Sequence, residues 1–187
     1  MTLTSPNIET VILNRRTVHN FIPGKLPPEE TIIRALELAV CAPNHYATEP
    51  WRFYLLGEEA RQKICVLNSE LMRAARGDKA AEIKLRRWGE IPGWLLMTCV
   101  QSPDQVRYME DYAACCCAAQ NMMLYLWSLG IGVKWTTGDV TRNPEFHEIT
   151  GTDPESESVV GLFWYGYPAE TPSTPRKGTE DKIVRLA

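Results

Sequence analysis

The sequence predicts a mixed fold in which helices alternate with about four strands in one compact unit. Three observations predict it. Tyr112 to Leu129 is apolar almost all round, broken mainly by Gln120, Asn121 and Ser128, with no Pro or Gly inside it. Such a run reads as a helix covered on most sides by other elements or by a second subunit. Four short runs, Trp51–Leu56, Trp94–Val100, Ile131–Thr137 and Val159–Tyr167, carry strand-type residues between helical stretches. Finally, 187 residues with 44% hydrophobic and 23% charged side chains suit one ordinary globular domain, taken as residues 1–187.

In chain order, Ile8–Leu13 forms a first helix that stops at Asn14-Arg15-Arg16-Thr17. Adjacent guanidiniums and a hydroxyl suit a phosphate, and equally suit a solvated basic pair at a helix C-terminus. Pro27-Pro28-Glu29-Glu30 opens a second helix, which ends at Cys41-Ala42-Pro43. The loop Asn44-His45-Tyr46-Ala47-Thr48-Glu49-Pro50 is dense in hydrogen-bonding side chains and leads into the first strand. Glu58–Arg73 reads as a helix, and the charged run Arg73–Glu90 as another with a solvated face. The second strand begins after Pro92-Gly93, and Ser102–Arg107 reads as linker. Gly130 and Gly132 end the apolar helix, and Gly138 closes the strand that follows. Asn143-Pro144-Glu145 begins a short helix, the segment from Ala169 to Gly178 is extended, and Lys182–Leu186 is a candidate last strand.

A net charge of −3, without a basic stripe, argues against non-specific nucleic-acid binding. The Gln-Asn pair within the apolar helix makes a membrane span the weaker reading. There is no continuous apolar leader, and six cysteines without C-x-x-C spacing indicate a reducing, cytoplasmic setting rather than disulfides or zinc. Cys115, Cys116 and Cys117 point three ways from one helix and read as small buried hydrophobes. No Gly-x-Gly-x-x-Gly follows a strand, and no Walker motif or Gly-x-Ser-x-Gly elbow is present.

Four segments in register carry a resemblance: Arg15-Arg16-Thr17, CAPNHYATEPWRF from Cys41, GIGVKWTTG from Gly130 and GLFWYGYPAE from Gly161. Together they resemble the signature segments of the nitroreductase family of FMN-dependent oxidoreductases, compact bacterial type. The resemblance implies an α+β homodimer with a mainly antiparallel central sheet flanked by helices, and with the long helix at the subunit boundary. It implies that Arg15, Thr17 and Arg176 hold the FMN phosphate, with Arg16 assisting. His19 takes a position near N1 and O2 often filled by Lys or Arg. Asn44, His45 and Glu49 approach the flavin edge across the interface. Trp135, Thr136, Thr137 and Gly138 lie along the ring system, with a backbone N–H near Thr137 or Gly138 facing N5. Ala47 and Glu49 stand where many members carry Asn and Gln, and Cys41 replaces an Arg of some relatives.

The activity so implied is hydride transfer from NADH or NADPH, through flavin N5, to a flat electron-poor acceptor such as a nitroaromatic, quinone or enone. Chemistry resides on FMN, so no side chain is assigned as catalytic, and no metal, nucleic acid or membrane partner is expected. A dehalogenating or oxygen-using relative, a non-catalytic FMN-binding dimer and a thiol redox protein are the rival readings. Arg86, Arg87 and Trp88 read first as a solvated helix face, and second as substrate or nicotinamide contacts.

Overall fold

The computed structural model describes residues 7–186. Four strands, β1 (Trp51–Leu55), β2 (Gly93–Val100), β3 (Gly132–Thr136) and β4 (Glu157–Gly166), form one sheet in the order β1-β2-β4-β3, every neighbouring pair antiparallel. The inner strands β2 and β4 are buried on both faces, which is why they read as continuous apolar runs rather than alternating ones. Alternation decides where each side chain goes. Leu95, Met97 and Phe163 face one layer, while Trp94, Leu96, Leu162 and Trp164 face the other.

The first layer is α2 (Glu29–Ala39) with α5 (Gln105–Ser128), whose Ile32, Ala35, Ala118, Met122 and Leu126 cover one sheet face. The second is α3 (Glu58–Arg76), α4 (Asp78–Gly89) and α6 (Pro144–Thr150), with Ile64, Leu67, Trp88 and Phe146 on the opposite face. Gly77, at φ 82, separates α3 from α4. Gly161 lies against the Trp135 indole: a Cβ there would come within 2.1 Å of Nε1, so only glycine leaves room for the ring. The indole N–H donates to the Val160 carbonyl at 2.9 Å.

The structure corrects the sequence reading at two places. Ser102–Arg107 is not all linker, because Asp104 caps α5 by accepting from the Val106 and Arg107 N–H groups at 2.9 and 3.3 Å. The first turns of that helix are polar, so hydrophobic periodicity does not reveal them. Nor do residues Lys182–Leu186 form a strand; Lys182 N–H instead closes a turn onto the Thr179 carbonyl, and Ile183 and Val184 lie exposed. Within one chain α5 also keeps an open stripe: Ala113, Cys117 and Gln120 are exposed, and Leu124 and Ser128 are half-buried. Cys115 is buried, Cys116 half-buried and Cys117 exposed, so the three thiols point three ways, but the reading of all three as buried hydrophobes fails at Cys117. No helix among the described residues is long and apolar enough to cross a membrane.

Candidate functional site

Helix α1 (Ile8–Asn14) ends where Arg15, at φ −59 and ψ 130, turns the chain into extended backbone. The extended segment seats on the edge of the sheet: Thr17 bridges Val133 of β3 in parallel, and the Val18 N–H donates to the Val133 carbonyl at 3.2 Å. Gly132 permits this approach, since a Cβ on it would lie 2.4 Å from Val18 Cγ2. Val18 is buried, and the flanking Thr17 and His19 stay exposed, as neighbours on extended backbone do. On its other side the segment is stitched to the exit of β4. Ile22 N–H donates to the Tyr167 carbonyl at 2.9 Å and Ala169 N–H to the Asn20 carbonyl at 3.0 Å.

This stitching leads the C-terminal tail back toward Arg15. The Arg15 guanidinium is half-buried, and burial first, then the Arg176 and Arg16 charges, push its pKa down. Among the described residues no carboxylate forms an ion pair with any of the three. Arg16 turns its Nη1 to the Leu13 and Arg15 carbonyls at 2.7 and 2.9 Å and so caps α1, leaving Arg15 and Arg176 as the open pair. An Arg15 guanidinium whose charge is made costly by burial and by Arg176, with the exposed Thr17 between the helix end and the strand, forms a donor set that a dianionic phosphate would relieve. The residues present therefore fit the phosphate of FMN.

A cleft of about 620 Å³ lies next along the same segment, between the β3–β4 face and α3–α4. Its floor is aromatic: the Trp88 and Trp164 ring centres stand 4.8 Å apart at 72°. Over that floor sit two half-buried lysines, Lys134 Nζ 4.5 Å from the Trp164 ring centre and Lys84 Nζ 5.7 Å from that of Trp88. His19, Arg76 and Arg87 complete the rim, with Glu90 the one carboxylate. Burial, then Lys134 and Arg87, lower the pKa of His19, so its imidazole is neutral at pH 7. Burial, then Lys84 and Arg87, lower that of Lys134. Trp88 is buried in the cleft floor, contrary to its first reading as solvated surface, while Arg87 is exposed on the cleft rim and Arg86 exposed outside it, as a solvated face predicts.

The loop with Asn44, His45 and Glu49 is held elsewhere. Three non-glycine residues take positive φ, Tyr46 at 61°, Ala47 at 50° and Glu49 at 46°, a cost the local bonding sustains. Asn44 Oδ1 accepts from the Glu49 N–H at 2.7 Å, Asn44 Nδ2 donates to Thr48 Oγ1 at 3.0 Å, and the Thr48 hydroxyl donates to the buried Asp111 of α5. His45 and Glu49 are left exposed. Among the described residues, no hydrogen bond ties this loop to the Arg15–His19 segment or to β3. A single chain therefore does not join these two sets.

Trp135 points into the α5 layer, away from Lys134, and Thr136 is the last residue of β3. Thr137 and Gly138 are exposed; their carbonyls accept from Arg142 Nη1 at 3.0 Å and from Thr141 N–H at 3.0 Å. No acceptor among the described residues meets their own N–H groups. The sequence reading missed Lys84, Lys134 and Trp164. The available signal was Lys134 itself, a lone cation in the apolar run Ile131–Trp135.

Residues 12–167 match the model of the Nitroreductase family. A Bacillus subtilis (strain 168) protein assigned as an NAD(P)H nitroreductase, YfhC, is 29% identical over 175 residues, covering 91% of this chain and 89% of its own. The crystal structure of a nitroreductase-like family protein from Bacillus cereus superposes with a TM-score of 0.86 at 32% identity, over 100% of this chain and 99% of that one. A Desulfovibrio desulfuricans structure determined in complex with FMN shares the fold, with a TM-score of 0.75 at 19% identity over 98% and 99% of the two chains.

Proposed function

The chain belongs to the nitroreductase family, and from that premise we propose that it is an FMN-dependent oxidoreductase. It carries hydride from NADH or NADPH to a flat, electron-poor acceptor such as a nitroaromatic, quinone or enone, and works as a cytoplasmic homodimer. The observation that carries this reading is that Arg176 lies near enough to the half-buried Arg15 to make its charge costly, with no carboxylate ion-paired to either among the described residues. That pair suits a phosphomonoester far better than any neutral ligand.

When bound, FMN supplies an N5 position that accepts hydride from a nicotinamide and gives it to an acceptor. The chain's own part is to bind and orient. Arg15, Arg176 and Thr17 hold the phosphate. His19, neutral in the protein, offers a hydrogen bond rather than a charge at the N1–O2 edge. Trp135, Thr136, Thr137 and Gly138 would line the ring system, with the Thr137 and Gly138 N–H groups, which meet no acceptor among the described residues, available to hydrogen-bond it. Asn44, His45 and Glu49 approach from the second subunit, which accounts for their separation from the Arg15–His19 segment within one chain.

The visible spectrum of the purified protein tests the reading. A yellow protein with flavin bands that anaerobic NADH or NADPH bleaches, and a quinone restores, is the expected result. A colourless protein indifferent to added FMN overturns it, and a yellow one that neither donor bleaches is a flavin carrier instead.

A further inference from the structure

The cleft beside His19 is lined by an excess of positive charge. Lys84, Lys134, Arg76 and Arg87 face it with only Glu90 of opposite sign, in a chain whose net charge is −3. Arg76 and Arg87 are exposed, and solvation alone explains them. The lysines are different. Each is half-buried over a tryptophan face and neither has a carboxylate within 4.0 Å among the described residues, although lysines elsewhere in the chain do find one. Burial and the neighbouring Lys84 and Arg87 charges make the charge of Lys134 costly, which suits a site that takes an anion. The Trp164 indole N–H is buried and meets no acceptor among the described residues.

Resting on the reductase reading, we infer that Lys84 and Lys134 form a substrate subsite for an anionic oxygen group, a carboxylate or phosphate carried beside the reacting ring. The tryptophan faces hold the two ammonium groups in place, and the ammonium groups receive the charge. The two residues lie on α4 and β3, so the subsite exists only where these elements meet. One source of such a group is an acceptor bearing a carboxylate, the other the additional phosphate that distinguishes NADPH from NADH.

The test compares kcat/KM of the FMN-loaded enzyme for 4-nitrobenzoate against nitrobenzene, and for NADPH against NADH, in wild type, Lys84→Gln, Lys84→Arg and Lys134→Gln. Quenching of tryptophan fluorescence by 4-nitrobenzoate without any hydride donor reports binding apart from turnover. For an acceptor carboxylate, wild type favours 4-nitrobenzoate by about tenfold at low salt, the ratio collapses in Lys84→Gln and at high ionic strength, and Lys84→Arg restores part of it. Collapse of the NADPH-to-NADH ratio alone assigns the subsite to the donor's phosphate. If both ratios and the quenching are the same in wild type and all variants, the inference is overturned. Salt-sensitive quenching in a protein that turns over neither acceptor upholds the subsite and removes the reductase reading instead.

Discussion

Arg15 is half-buried among guanidiniums, so its replacement changes binding and folding in opposite directions. Arg15→Gln removes one of two charges from the proposed phosphate site, at a cost of about 1.5–3 kcal/mol in FMN affinity, roughly ten- to 150-fold in Kd by fluorescence titration. Without FMN the same variant melts no lower than wild type, because it also removes a repulsion. His19 gives a pH prediction. Its pKa in the folded protein lies below the ordinary 6.5, so just under that pH the unfolded chain binds more protons and stability falls as pH falls. An NMR titration of the His19 ring should give a midpoint below 6.5, moving part of the way up in Lys134→Gln, since burial is the larger cause. A midpoint that does not move would remove Lys134 from its surroundings. Arg15, Arg16 and Thr17 could be singled out as a candidate site because they stand together in sequence. Lys84 and Lys134 were not, because their meaning depends on a tertiary approach between α4 and β3.

Elements were legible where one physical signal dominated. Strands β2 and β4 read clearly because both faces are covered, and α6 because Asn143 caps it, accepting from the Glu145 N–H at 2.9 Å ahead of Pro144. The start of α5 was hidden because its first turns face water, and Lys182–Leu186 looked like a strand because composition says nothing about whether a partner edge is available. Gly132 links the elements to the site. Gly132→Ala must push Val18 away from β3, and overpacking of this kind costs about 1–3 kcal/mol. Urea denaturation should show that loss, and FMN affinity should weaken too, since Thr17 is carried on the displaced backbone. An alanine variant as stable as wild type would mean that the edge seating is loose.

At the scale of the molecule, apolar surface lies uncovered around α1. Ile8, Ile12 and Leu13 are exposed at 62%, 53% and 61%, and beside them Ile8, Val11, Leu38, Leu124 and Tyr125 line a shallow groove of about 350 Å³. It adjoins the open stripe of α5, so the proposed second subunit would cover both. Leu124→Glu places a charge in that contact. Sedimentation should show the dimer giving way to monomer, with FMN released as the loop at Asn44 is withdrawn from its neighbour. A variant that stays dimeric and yellow would place the contact elsewhere.

The bond from Ala169 N–H to the Asn20 carbonyl clasps the outgoing chain to the incoming one. Neither terminus then keeps its bearing without the other, although the strands between them need neither. Brief protease treatment that clips the exposed run after Pro168 should therefore bleed colour from the solution while the far-ultraviolet signal persists, making pigment a gauge of intact ends.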